Sequence, residues 1–393
     1  MRIAFITETY PPEVNGVALT VARFVSYLRS KGHQIELIRP RQRSDGDAAT
    51  AAPAAGGSAD WLSAGLPIPM YPDLRFGLMR PARLAKHFAA TRPQLVHVVT
   101  EGPLGWAAVR AARQLGIPVT SDFRTNFHQY SRYYRLGWLS SAIGGYLRRL
   151  HNRTARTFVP TQRARAELLA AGFERVEVVG RGVDTVRFSP DRRSAALRAV
   201  WGVAEDSPVL LYVGRLAAEK NVGLALSAWQ RALELVPSAR MVLVGDGPLK
   251  AQLQRRYPAA HFAGMQTGDA LAAHYASADL FLFPSLSETF GNVTVEALAS
   301  GLPVIAFDAA AAGEFVEDQV CGRLIAPGQD AAFVESVGVL ASLHGELAPM
   351  RAAACQAAGR ADWGAVLALL EDHFLEVVAD AAATPSKLPA CVA

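Results

Sequence analysis

Cysteine is scarce in this 393-residue chain: the three present, Cys321, Cys355 and Cys391, are scattered and form no Cys-x-x-Cys pair. Neither a disulfide framework nor a zinc site is expected, which fits a reducing compartment. Long apolar runs are missing too, since none approaches the roughly 18 residues of a membrane span. The opening MRIAFITETY lacks the extended apolar core and small-residue cleavage site of a secretory signal. There is no G-x-G-x-x-G fingerprint, which counts against a dinucleotide-dependent enzyme. The expectation is a cytoplasmic protein, soluble or peripheral on the inner face of the membrane, with no metal or resident cofactor.

Acidic residues are thin in the first half. Residues 1–190 hold 26 Lys/Arg against 13 Asp/Glu, and the remainder holds 14 against 22. A basic half joined to an acidic half implies different partners for the two. No nucleic-acid module is recognisable in the basic half, so an anionic membrane surface or an acidic acceptor is expected there and nucleic acid is not.

What is present is alternation. Apolar strands such as RIAFIT, QIELI, QLVHVV, PVTSDF, TFVP and VEVVG, then PVLLYVG, RMVLVG, DLFLFP, PVIAF and GRLIA, are separated by helical stretches. Such strands predict parallel sheets buried on both faces by helices. The pattern resets at GVDTVRFSPDRRSAA. This predicts an α/β chain of two doubly wound, Rossmann-like domains, 1–190 and 191–362, facing across a cleft. A final helix over 363–380 is expected to return to the first domain, and 381–393 to be a disordered tail. Residues 44–60, SDGDAATAAPAAGGSAD, read as a mobile surface loop.

The sharpest motif is SETFGNVTVEALASG. It places Glu288 in a loop, Phe290, Gly291, Asn292 and Val293 at a helix start, and Glu296 one turn inside. Free N–H groups at a helix start attract anions. Carboxylates accept hydrogen bonds from vicinal hydroxyls. A nucleotide-sugar has the matching order of hexose, diphosphate and ribose. The plain alternative is a solvated loop acid followed by an ordinary first-turn Glu. YVGRLAAEKN adds Arg215 and Lys220 at a strand exit, where fixed cations can neutralise a departing diphosphate. VLVGDGPL reads as a glycine-bearing strand exit and alone is weak. In the first half Gly16 precedes a helix start and can approach a phosphate.

Taken in order, PPEVNGVALTV, QLVHVVTEGPLGWAA, GRGVDTVRFSP, YVGRLAAEKN, LVGDGPL, ASADLFLFPSLSETFGNVTVEALASGLPVIA and GRLIAPGQ resemble the retaining GT-B glycosyltransferases of family 4, over about residues 1–380. Within that family the chain is most similar to bacterial lipid mannosyltransferases that use GDP-mannose. The resemblance implies metal-independent transfer of a hexose from a nucleotide-sugar donor to a lipid or glycolipid acceptor, the leaving phosphate taking the acceptor's proton. It implies that Arg215 and Lys220 stabilise the diphosphate, that Glu288 holds the hexose and Glu296 the ribose. Backbone amides from Gly291 to Val293 would hold phosphate oxygens, and Gly16 would close from the other domain. One departure stands out. Many members carry a histidine after the strand that here reads PVTSDF, and this chain has Arg124 there, with His128 four residues later. Arg124 is expected to bind the donor phosphate or an anionic acceptor group, and His128 is a second candidate. His97 and His33 read as structural. A UDP-sugar donor, a nucleotide-sugar isomerase or hydrolase, and a non-catalytic sugar-nucleotide binder are the alternatives.

Two basic stretches, RFGLMRPARLAKHFAA and YYRLGWLSSAIGGYLRRLHNRTAR, mix arginine with apolar residues and can lie on an anionic membrane or pack as ordinary amphipathic helices.

Overall fold

The computed structural model describes residues 1–13, 16–42, 45, 60–68, 71–124, 137–204, 206–288 and 290–383. The chain divides into two compact units, Met1–Val179 with the chain from Leu367 onward, and Gly180–Val366.

The first unit holds eight strands: β1 (Arg2–Ile6), β2 (Gln34–Pro40), β3 (Trp61–Ile68), β4 (Tyr71–Leu78), β5 (Leu95–Val98), β6 (Val119–Asp122), β7 (Arg156–Val159) and β8 (Val176–Val178). Their order is β4-β3-β2-β1-β5-β6-β7-β8. All neighbours run parallel except the β3–β4 hairpin. That hairpin carries no apolar run. Pro67, Gly65 and Gly77 interrupt it, and from Ala64 outward β3 is no longer buried. It corrects the reading of RFGLMRPARLAKHFAA as one amphipathic stretch, because Arg75–Leu78 is strand and the helix begins only at Pro81. The basic stretch further on forms the helix Gly137–His151.

The ends of the alanine-rich segment are held. Arg39, buried in β2, donates from Nη1 and Nη2 to Asp45 at 2.8 Å each, and from Nε to Asp60 Oδ2 at 2.9 Å. The residues between these two acids, 46–59, lie outside the described part.

The second unit is a six-stranded, fully parallel sheet. Its strands are β9 (Val209–Val213), β10 (Arg240–Val244), β11 (His261–Gly264), β12 (Leu280–Phe283), β13 (Val304–Phe307) and β14 (Gly322–Ile325), in the order β11-β10-β9-β12-β13-β14. Every residue of β9, β12 and β13 is buried, as their unbroken apolar composition requires. Only β11 escaped the sequence reading. It is a short edge strand, HFAG, half-buried throughout.

Two boundaries move. Residues 180–190 belong to the second unit because Val183 and Phe188 are buried in its core, and Val183 makes an isolated bridge to Asp362. The last helix, Trp363–Ala383, runs three residues into the expected tail. Among the described residues no helix is long and apolar enough to cross a membrane.

At the amino end of β12, Asp279 gathers four donors. Oδ2 accepts from Val209 N at 2.9 Å and Arg198 Nη1 at 3.0 Å, and Oδ1 accepts from Arg193 Nη2 at 3.0 Å and Arg351 Nη1 at 3.4 Å. It thereby ties β9 and β12 to the helices Ala195–Val200 and Ala348–Gly359. Arg198 is almost fully buried, so removing the carboxylate strands a charge. Asp279→Ala should cost about 3–5 kcal/mol, the range for breaking a buried ion pair from one side. Urea unfolding followed by tryptophan fluorescence measures it, and a loss under 1 kcal/mol would show that the cluster is not a keystone.

Candidate active site

In the second unit the strand order places β9 beside β12, with β10 and β11 on one side and β13 and β14 on the other. Crossovers therefore depart in opposite directions from these two strands. The space outside their carboxyl ends is where such sheets bind ligands. Both sharp motifs leave the sheet at this point.

After β9 the chain turns at Gly214 and passes Arg215 to a short 3-10 turn, Ala218–Lys220. After β12 it passes Ser285 and Ser287 to Glu288. The two exits are joined directly. Lys220 Nζ donates to Glu288 Oε1 at 2.5 Å, Ser285 Oγ donates to the same oxygen at 3.1 Å, and Ser287 Oγ donates to the Glu219 carbonyl at 3.0 Å. The β9 exit is also laced to the β10 exit, with Leu216 N to Asp246 O at 2.9 Å and Leu249 N to Leu216 O at 3.0 Å. The two glycines of VLVGDGPL make that contact possible. A Cβ on Gly245 would stand 2.0 Å from the Gly214 carbonyl oxygen, and one on Gly247 would stand 2.4 Å from that of Leu216. They are the condition for placing the Arg215–Lys220 loop.

The helix Asn292–Ala299 starts at Gly291, whose φ of 89° is the left-handed region that glycine favours. No side chain caps it. The N–H groups of Asn292 and Val293 have no acceptor among the described residues, and the Asn292 Oδ1 atom is buried without a partner. Phe290 is buried beneath this turn. Its carbonyl accepts from Ala311 N at 2.7 Å, which fixes the turn to the next helix.

Glu296 receives a hydrogen bond on Oε2 from Tyr275 Oη at 3.0 Å. Burial lifts its carboxyl to about 7, and the Tyr275 bond only partly opposes that. Arg215 is different. Its side chain is 65% exposed and its nearest carboxylate is Glu219 at 3.4 Å, so it stands at the mouth of the site and is not locked into it.

The first unit presents a second polar edge. The order β1-β5-β6 aligns three neighbouring carboxyl ends carrying Glu8, Glu101 and Arg124. Arg124 is buried, donates from Nε to Asp122 Oδ2 at 2.6 Å, and lies 5.2 Å from the Phe24 ring centroid. Its Nη1 and Nη2 atoms have no partner among the described residues. Burial would raise the Asp122 carboxyl, but Arg124 and then His97 outweigh it and hold it at about 2. His97 is fully buried, with Nδ1 3.0 Å from Thr120 Oγ1 and Nε2 3.6 Å from Asp122 Oδ1. It packs between Phe5 and Phe374. Glu8 Oε1 accepts from Gly77 N at 3.1 Å and Leu104 N at 3.4 Å. Burial still lifts its carboxyl to about 7. Gly16 opens the helix Gly16–Ser30. His128 lies outside the described residues. Among the described residues no cluster of three or more His, Cys, Asp or Glu could hold a metal ion.

Two family descriptions match this chain. "Glycosyltransferase Family 4" covers residues 14–187 and "Glycosyl transferases group 1" covers residues 207–342. A GDP-mannose-dependent alpha-mannosyltransferase of Mycolicibacterium smegmatis is 37% identical over 330 residues, spanning 83% of this chain and 84% of that protein. The chain belongs to glycosyltransferase family 4. A second family relative, a GDP-mannose-dependent alpha-(1-6)-phosphatidylinositol dimannoside mannosyltransferase of Mycobacterium tuberculosis, is 26% identical over 80% of this chain and 82% of its own length. The two parallel Rossmann-like units have the GT-B fold. Anabaena HepE in complex with UDP matches with a TM-score of 0.74 over 96% of this chain and all of its own, at 20% identity.

Within this glycosyltransferase the structure brings together Lys220, Glu288, Gly291, Asn292, Val293 and Glu296 around one sheet edge. It places Arg215 at the rim. Tyr275, Ser285 and Ser287 were not read from the sequence, nor were Glu8 and Asp122. Tyr275 lay inside an apolar helix and looked like core, which it also is, since its ring packs on Phe188 and Phe281. Glu8 had a usable signal, an acid directly after a buried strand.

The raised Glu296 carboxyl has a testable sign. Its ordinary value is 4.5 and the folded value about 7, so the native state holds the proton more tightly. The contribution to stability is complete below pH 4.5 and is lost as pH rises through 7, by at most about 3 kcal/mol. Glu296→Gln should flatten the decline in melting temperature between pH 5 and pH 8. Glu8, shifted the same way, leaves a residual slope. An unchanged pH profile would mean that Glu296 is solvated in the native state.

Proposed function

We propose that this glycosyltransferase moves mannose from GDP-mannose onto a lipid or glycolipid acceptor, with retention of anomeric configuration and without a metal ion. The observation that carries the reading is the Lys220–Glu288 pair beside the N–H groups of Asn292 and Val293, which have no acceptor among the described residues, in a chain 37% identical to a GDP-mannose-dependent relative. We place the protein in the cytoplasm, peripheral to the membrane that holds its acceptor.

The residues divide the work by charge. Glu288 accepts hydroxyl hydrogen bonds from the hexose. The helix start takes diphosphate oxygens at Asn292 and Val293. Ionised Glu296 accepts from the ribose hydroxyls, so nucleotide binding should tighten as pH rises through about 7. As the bond from the anomeric carbon to the phosphate oxygen breaks, negative charge grows on the diphosphate. Lys220, drawn from Glu288, and Arg215 meet it. The acceptor oxygen bonds to the anomeric carbon on the same face, and its proton passes to the leaving phosphate oxygen. Arg124 cannot act as a base, because arginine stays protonated. Its two open Nη donors suit a phosphate or carboxylate of the donor or the acceptor.

The test is a donor panel of GDP-mannose, GDP-glucose, UDP-glucose and ADP-glucose, with a bacterial lipid extract as acceptor. GDP should be released from GDP-mannose only when lipid is present, and EDTA should not change the rate. Turnover of UDP-glucose with GDP-mannose inert would move the protein to the UDP-sugar reading. Sugar conversion or hydrolysis without lipid would indicate an isomerase or hydrolase. Lys220→Ala should lower kcat by about 10²–10³, the usual cost of one electrostatic partner in the transition state, and should also lower the melting temperature, because Glu288 is left without its cation.

Arg124→Ala separates its two assignments. A raised dissociation constant for GDP-mannose points to the donor diphosphate. Unchanged donor binding with a raised acceptor KM points to an anionic acceptor group. Wild-type values for both would make Arg124 a structural ion pair, with His128 next to be tested.

A further inference from the structure

Four arginines crowd one face of the first unit. Arg110 and Arg113 lie on the helix Pro103–Gln114. Arg149 lies in the last turn of Gly137–His151, and Arg153 follows that helix. Arg110, Arg113 and Arg149 are exposed and Arg153 is half-buried. No carboxylate among the described residues forms an ion pair with any of them, although exposed arginines elsewhere do find partners, such as Arg163 with Glu167 and Arg231 with Glu335. Burial and then the charges of Arg149, Arg113 and Arg110 depress the Arg153 guanidinium below its ordinary value. Like charges held this close repel one another, and a surface under no other demand would disperse or pair them.

Aromatic rings complete the face. The Arg153 guanidinium lies 4.8 Å from the Trp106 ring centroid, and Trp106 lies 5.5 Å from Tyr146. Tyr146, 37% exposed, donates to the Glu101 carbonyl at 2.6 Å. Through Tyr146 the face touches the loop that leaves β5 at Glu101. Guanidinium groups without a carboxylate partner among the described residues, beside half-exposed Trp and Tyr, match a layer of anionic headgroups, where the cations meet phosphate and the rings sit at the polar–apolar boundary.

We propose that Arg110, Arg113, Arg149 and Arg153, with Trp106 and Tyr146, form the surface by which this enzyme docks on an anionic lipid bilayer. The proposal rests on the reading of the acceptor as a lipid.

Vesicle co-sedimentation of the full chain tests it, with phosphatidylcholine alone and with one third phosphatidylglycerol. The wild type should bind only the anionic vesicles, and added salt should release it. Arg110→Gln/Arg149→Gln should lower the partition coefficient about 25-fold, roughly fivefold per arginine, equivalent to ~1 kcal/mol each. Arg110→Lys/Arg149→Lys should keep most of the binding. Arg163→Gln/Arg231→Gln removes the same net charge from paired sites and should change partition less than twofold. The melting temperature and its rise on adding GDP verify that each variant is folded.

Equal losses in the two Gln pairs would mean diffuse charge and no docking face. Wild-type binding by Arg110→Gln/Arg149→Gln, or equal binding to neutral vesicles, overturns the proposal. So does capture of soluble polyphosphate without vesicle binding. Failure to bind vesicles alongside GDP-mannose turnover would sink the surface and leave the function standing. Vesicle binding without a GDP shift would do the reverse.

Discussion

The second unit depends on one adjacency, that of β9 and β12 at the centre of a parallel sheet. Parallel strands deliver all their exits to one edge, and the reversal of strand order between these two parts their crossovers. Arg215 and Lys220 then meet Glu288 and the Asn292 helix start, 68 positions apart in sequence for the Lys220–Glu288 bond. Asp279 secures the adjacency from the opposite end, where one carboxylate holds the Val209 amide and Arg198. The sheet is braced at its amino edge and chemically equipped at its carboxyl edge.

The ion pair at that site neutralises itself. Lys220 and Glu288 satisfy each other before any ligand arrives, with Ser285 supporting the carboxylate. A lone lysine or carboxylate of this burial would be expensive to keep in the empty protein. A ligand that supplies both hydroxyls and phosphate can separate the pair and leave neither charge unmatched. A sugar or a phosphate alone would strand one of them.

Much of this was legible in the sequence, for physical reasons. Buried parallel strands must be apolar throughout, so VLLYV and LFLF announced themselves. Glycine followed by a helix pattern marked the Gly291 turn. Side chains that act by converging from afar left no local mark. Tyr275 reads as core because its ring is core and only its hydroxyl serves Glu296. The β3–β4 hairpin was invisible because edge strands tolerate Pro and Gly and need no apolar run. Residues 180–190 were read as the end of the first domain, since two buried apolar side chains in eleven do not make a periodic signal. Arg124 was visible as an oddity, but its burial against Asp122 required the fold.

The Arg39 clamp has a consequence for how this chain tolerates change. One guanidinium holds Asp45 and Asp60 together, so β2 and β3 keep their register whatever connects those two acids. Lengthening a closed loop is thermodynamically mild, about 0.6 kcal/mol for each doubling. The alanine-rich segment is thus a permissive insertion point. It can accept a grafted epitope without disturbing the pairing of β2 with β3.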